Sequence, residues 1–203
     1  MPFMTRKDLG VIAVATREIV LAEYQRDSCI SSSLIGQRVL DHYKVKARAV
    51  ASVVAAYNDP GLQMSRTNIP PSQWPDEAWS VGVQGSGVMN LDTKRYDGHV
   101  VLILKPQGSP RVLLDLSADQ LDRPERGLRV PGPVAVELPR FWTPEDPAEV
   151  TIETPEPTHL RYFPLMGGDD WTLAKDGQDV DRHERLAAAA IELSDKRLSA
   201  VRV

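Results

Sequence analysis

The sequence predicts an α+β fold in which N-terminal helices pack on an antiparallel sheet and a C-terminal helix ends the chain. Three observations carry this. Apolar residues recur at helical spacing over about residues 6–24, 29–43 and 181–198. Between them lie short runs rich in β-branched residues, of which His99 to Leu104 (His-Val-Val-Leu-Ile-Leu) is the clearest strand. The turn Lys105-Pro106-Gln107-Gly108-Ser109 then joins that strand to a second one over 111–116, which makes the pair an antiparallel hairpin.

Each element has its own reason. Thr5 and Asp8 have the spacing of a capping box, with Asp in place of the preferred Glu, and start the first helix at Arg6. Leu9, Ile12, Ile19 and Ala22 fall on one face of it. Asp27-Ser28 is a start signal for the second helix, along which Ile35, Val39 and Tyr43 recur. Cys29, Ser33 and Gly36 form a stripe of small residues that lets another backbone approach closely. From Val45 the period shortens toward two, and a strand runs to about Tyr57. Pro60, Gly61, Pro70, Pro71 and Pro75 make 58–76 a loop, of the length that often forms a lid or rim. Short strands follow near 79–83 and 134–138, and 117–127 begins with a helical turn. A late hairpin of 149–154 with 159–163 turns around Pro155 and Pro157, and an Ala-rich amphipathic helix carries Leu186, Ala190 and Leu193. The 203 residues suit one domain. Its core is expected over about 5–138, with the Pro-rich stretch after Pro139 wrapping around it ahead of the last helix.

Composition removes several function classes. The 24 Lys+Arg against 28 Asp+Glu give a formal charge of −4, which argues against nucleic acid as a partner. No run of about 18 apolar residues exists to span a membrane. The N-terminal apolar run is interrupted by Arg17 and Glu18, so no secretory signal is read, and a cytoplasmic location is expected. The one cysteine, Cys29, excludes an internal disulfide and suits a reducing compartment. His42, His159 and His183 lack metal-ligand spacing, and His183-Glu184 lacks the second His of a zincin motif, so no metal is expected. Gly82, Gly85 and Gly87 are not followed by Lys and a helix, so no phosphate loop and no organic cofactor is expected either.

The residues that can carry chemistry are Cys29, His99 and Asp115. Cys29 stands in the first turn of a helix, where the free backbone N–H groups and the helix dipole favour a thiolate. Its own N–H can donate to a developing oxyanion. If the turn occupies 105–109, Leu104 pairs with Pro110 and His99 lies directly opposite Asp115. Directly opposed residues share a face with Cβ atoms about 4.5–5.5 Å apart, so the carboxylate can hold one imidazole nitrogen and leave the other for a thiol. Against this stands the ordinary fate of a lone cysteine, which is burial as an inert small hydrophobe. Asp119, one turn later, is the alternate acid and is expected at the surface.

The order Cys, His, Asp resembles the papain-like and transglutaminase-like cysteine-nucleophile superfamily. The resemblance rests on Asp27-Ser28-Cys29-Ile30 opening a helix, Gly98-His99-Val100-Val101 opening a strand and Leu114-Asp115-Leu116 carrying the acid on the next. It spans about residues 25–120 and implies a papain-like, transglutaminase-like core with the helix-borne Cys packed on the sheet. Arylamine acetyltransferases share the arrangement, but where they carry an Arg-Gly-Gly run before the Cys this chain has Tyr24-Gln25-Arg26-Asp27. The Trp beside the Cys in transglutaminases is absent as well. The resemblance therefore implies a fold and a triad, and no particular substrate. Papain-like enzymes use a Gln upstream of the Cys as the second oxyanion donor, and Gln25 is the candidate here.

The expected function is a thiol-dependent hydrolase or acyltransferase acting on a peptide or protein amide bond. Cysteine peptidase, amidase and transglutaminase-like acyltransferase all fit, with hydrolysis favoured because water is always available. The alternative is a catalytically inactive transglutaminase-like scaffold that binds protein, for which the Pro-rich segments at 58–76 and 139–158 would suit wrapping a partner.

Overall fold

The computed structural model describes residues 4–83, 87–105, 110–165 and 169–201. The order of elements is α1 (Arg6–Leu21), α2 (Cys29–His42), β1 (Ala47–Tyr57), α3 (Asp59–Ser65), β2 (Ser80–Val83), β3 (Met89–Asn90), β4 (Arg95–Tyr96), β5 (His99–Leu104), β6 (Val112–Asp115), β7 (Val134–Glu137), β8 (Ala148–Ile152), β9 (Thr158–Pro164) and α4 (Val180–Val201). Short 3₁₀ turns stand at 71–73, 118–121, 124–126, 169–173 and 175–177. Among the described residues no helix is long and apolar enough to cross a membrane.

The capping box forms as read: the Thr5 hydroxyl accepts from the Asp8 N–H, and the Asp8 carboxylate accepts from the Thr5 N–H, each at 3.1 Å. The buried face of α1 is Leu9, Ile12, Ala13, Thr16 and Val20, with Arg17 buried beside it, while Ala22 is exposed. Ser28 precedes α2 without a side-chain cap, because its hydroxyl is taken by the Arg17 guanidinium at 3.2 Å. The small-residue stripe of α2 faces β5: Ser33 Oγ donates to the Val100 carbonyl at 2.9 Å, and Gly36 lies against the Leu102 and Leu116 side chains.

The main sheet is antiparallel and runs β7-β6-β5-β1-β9-β8, with β2 also on β1, and its ends β7 and β8 approach each other so that it nearly closes. One face packs under α1, α2 and α4 through Ala49, Ala51, Val100, Leu102, Leu104, Val112 and Leu114. The other encloses Val54, Ala56, Val101, Leu113, Val134, Val136, Leu160 and Tyr162. A strand buried on both faces reads as a continuous apolar run, which is why β5 is so plain in the sequence.

The structure corrects several expectations. The 58–76 segment is not all loop, because Asn58 caps α3 by accepting from the Gly61 N–H at 2.9 Å, with Pro60 in the first turn. A small β3–β4 hairpin, Met89↔Tyr96 and Asn90↔Arg95, adds two strands between β2 and β5. The segment after Pro139 is not a wrapping extension: β9 pairs with β1 from Ser52↔Pro164 to Tyr57↔His159 and β8 pairs with β9, so both strands belong to the main sheet. Most of the predicted turn, residues 106–109, lies outside the described residues. The register of the hairpin also differs, since Leu104 pairs with Val112 rather than Pro110.

Candidate active site

Two features of β1 create the place where the candidate residues meet. Along one edge β1 pairs with β5 up to Ser52↔His99, and from Val54↔Val83 onward it pairs with β2 instead. His99 therefore stands at the seam where one neighbour replaces the other, and the N-terminus of α2 comes down beside it. The Cys29 thiol donates to the Gly98 carbonyl at a sulfur-to-oxygen distance of 3.9 Å. Cys29 is 7% exposed, while His99 and Asp115 are fully buried.

The two-residue difference in register leaves the histidine and the acid on one face. A slip of one residue would have turned Asp115 into the helix layer, whereas a slip of two preserves alternation. His99 and Asp115 are thus diagonal rather than direct neighbours, a separation that long side chains span. His99 Nε2 donates to Asp115 Oδ2 at 2.8 Å. The same oxygen accepts the Tyr162 hydroxyl at 3.1 Å, and Oδ1 accepts the Ser117 N–H at 2.9 Å and the Ser117 hydroxyl at 3.3 Å. A buried carboxylate with its lone pairs this well satisfied is held in one orientation.

Charge follows from these contacts. Burial pushes the Asp115 carboxyl up, but the His99 imidazole, the Ser117 N–H and the Tyr162 hydroxyl outweigh it and hold it below the usual carboxylate range. Burial pushes the His99 imidazole down, yet the Asp115 carboxylate and the Cys29 thiol more than offset this, and it is pushed up to about 10. Burial and the adjacent carboxylate push the Tyr162 phenol well above its ordinary value, so it stays a donor.

The remaining imidazole nitrogen, Nδ1, is 2.8 Å from the amide nitrogen of Gln120, on the 3₁₀ turn at 118–121. Gln120 also lines a cavity of about 360 Å³, with Gln25, Arg26, Asp27, Val81, Gly82, Val83, Leu121 and Arg123. Gln25 is thus on the cavity wall, exposed, and no hydrogen bond joins it to Cys29 or His99 among the described residues. Asp119 is not at the surface. It is buried in an ion pair with Arg17, Oδ1 lying 2.8 Å from Nη2 and 2.9 Å from Nε.

Tyr162, Gln120 and Arg17 are the site residues that sequence reasoning missed. Tyr162 and Arg17 reach it through contacts distant in sequence, which no local pattern reports. Gln120 had one available signal, its place in a turn only a few residues after a strand-borne acid. Among the described residues no group of three or more His, Cys, Asp or Glu side chains is arranged to hold a metal ion. Comparison with protein-family models, with curated proteins and with solved structures returned no match.

Proposed function

We propose that the chain is a thiol-dependent hydrolase or acyltransferase acting on a peptide or amide bond, with Cys29 as nucleophile, His99 as general base and acid, and Asp115 orienting His99, on a papain-like, transglutaminase-like core. The observation that carries this is the fully buried His99–Asp115 pair at 2.8 Å, placed at the start of β5 beside the Cys29-bearing end of α2. A buried charge pair gives little net stability for its desolvation, so its place next to the only thiol is better explained by chemistry.

The steps follow from the atoms. His99, its charge supported by Asp115, carries the proton at Nδ1 as an imidazolium paired with a Cys29 thiolate, and Sγ attacks the carbonyl carbon of the substrate. A C–S bond forms, and the carbonyl π pair moves onto oxygen, where the Cys29 backbone N–H can stabilise it. His99 returns the proton to the leaving amine as the C–N bond breaks, leaving a thioester on Cys29. Water or an amine, deprotonated by His99, then attacks the thioester and releases the thiol. Asp115 supports the imidazolium throughout without taking the proton. This chemistry calls for neither a metal nor an organic cofactor. The cavity bounded by Gln25, Arg26, Val81 and Gln120 reaches the site through Gln120, which touches His99, while Cys29 and His99 themselves do not line it.

The burial of Cys29 favours the second reading, an inactive scaffold that binds protein. One experiment separates the two. Alkylation of Cys29 by iodoacetamide at pH 7 should slow about tenfold in His99→Ala if the imidazole activates the thiol. A thiol-directed acyl probe should leave a thioester on Cys29 in the parent chain. Alkylation indifferent to His99→Ala, with no acyl group trapped, would leave the scaffold reading.

A further inference from the structure

The nitrogen of His99 that has to meet the thiol is already engaged. Nε2 is committed to Asp115, so Nδ1 alone can exchange a proton with Cys29. An imidazole nitrogen has one in-plane position, either a lone pair or a hydrogen. In this structure that position is filled by the Gln120 amide at 2.8 Å, while the Cys29 thiol, close enough to the imidazole to help raise its pKa, also donates to the Gly98 carbonyl. A primary amide can fill it in either charge state: its NH₂ donates to a neutral Nδ1, and its carbonyl, after rotation of the amide, accepts from an Nδ1–H.

Two further observations bear on how the amide is held. Gln120 stands on the same short turn as Asp119, and Asp119 is tied to Arg17. Arg17 in turn donates to Ser28 Oγ at 3.2 Å, to Ser32 Oγ at 3.0 Å and to the Arg26 carbonyl at 2.8 Å, all around the start of α2. The turn that carries Gln120 is therefore fixed relative to Cys29 by one buried cation. The amide side chain itself is only partly buried and faces the cavity.

We propose that Gln120 is a positioning residue that occupies His99 Nδ1 in the resting chain and yields it to Cys29 when an amide or ester substrate enters the cavity, whose carbonyl oxygen accepts the released amide. This rests on the Cys29–His99–Asp115 reading and adds to it that the base is held back from the thiol until substrate arrives. The amide competes with the thiol for a single nitrogen, so removing it speeds the thiol's chemistry through His99 and through nothing else.

The test is the rate of iodoacetamide alkylation of the full chain at pH 7, in the parent, Gln120→Leu, Gln120→Glu, His99→Ala and the double variant Gln120→Leu/His99→Ala. Gln120→Leu should react about fivefold faster than the parent, the factor that one neutral hydrogen bond is worth. That gain should vanish in the double variant. Gln120→Glu, which keeps the reach and offers Nδ1–H a carboxylate, should react more slowly than the parent, an opposite sign that loosened packing would not produce. A gain that persists without His99 overturns the proposal, since it reports exposure of Cys29 alone. So does a Gln120→Leu rate at or below the parent's when His99→Ala still slows the parent, and in that case the triad stands. A His99→Ala change without effect in either background overturns the triad and this inference together.

Discussion

The Arg17 guanidinium and the Asp119 carboxylate form a buried ion pair at 2.8 Å, and the remaining Arg17 N–H groups are spent on Ser28, Ser32 and the Arg26 carbonyl. Every donor of the fork has an acceptor, which is the condition under which a buried cation is tolerable. Arg17→Met should lower stability by about 3–5 kcal/mol, the usual result of stranding one member of such a pair. Arg17→Lys should recover little of that loss, because an ammonium cannot reproduce five donors in a plane. Urea unfolding followed by circular dichroism measures both, and a midpoint for Arg17→Met close to the parent's would contradict the role given to this pair.

Asp115→Asn isolates the cause of the His99 shift. With the carboxylate gone, burial acts on the imidazole with much less opposition. The His99 titration, pushed up to about 10 in the parent, should fall toward or below the ordinary value of 6.5. An NMR titration of the ring protons reads this directly. A His99 pKa unchanged in Asp115→Asn would mean that another group supports the charge.

The same shift makes stability depend on pH in a known direction. The folded-state His99 pKa lies above its unfolded value, so protonation of His99 stabilises the fold fully below about pH 6.5 and the contribution is lost as pH rises through about 10. Asp115 is held below its unfolded value, so its contribution is present above about 3.8 and disappears as pH falls through the lower folded value. The difference in urea midpoint between the parent and His99→Gln should therefore narrow steadily from pH 6.5 to pH 10. A difference that stays flat across that range would count against the ion pair.

Two glycines in neighbouring helices should respond with opposite signs. A Cβ on Gly36 would run into the buried Leu116 side chain and crowd Leu102 Cδ1 at 3.1 Å. Gly36→Ala should thus cost about 1–3 kcal/mol, as overpacking of a core does. At Gly10, inside α1, an added Cβ meets nothing within 4 Å. Gly10→Ala should stabilise by about 0.5–1 kcal/mol through the entropy of the unfolded chain. Thermal unfolding of the two variants side by side tests the packing of α2 on β5 against plain helix propensity.

How much of this was legible in the residues depends on the range of the interaction. The Thr5/Asp8 box, the start of α2 at Cys29, the span of β5 from His99 to Leu104 and the β8–β9 hairpin all come from patterns a few residues long. The Asn58-Asp59-Pro60 start of α3 was equally local, but the surrounding prolines hid it. The pairing of β9 with β1 was not legible, because it joins segments roughly a hundred residues apart.

For the candidate site, the sequence alone placed the histidine and the acid on one face only on the condition of an even register. Alternation has a period of two, and any even register keeps them together. Only the tertiary structure decided that the register is the one pairing Leu104 with Val112, that Tyr162 supports Asp115, and that Gln120 meets Nδ1. Those outcomes depend on how loops close and on which distant side chains fill the space around a buried charge. Local periodicity carries no information about either, because each is settled by packing density and the satisfaction of polar atoms in the assembled fold.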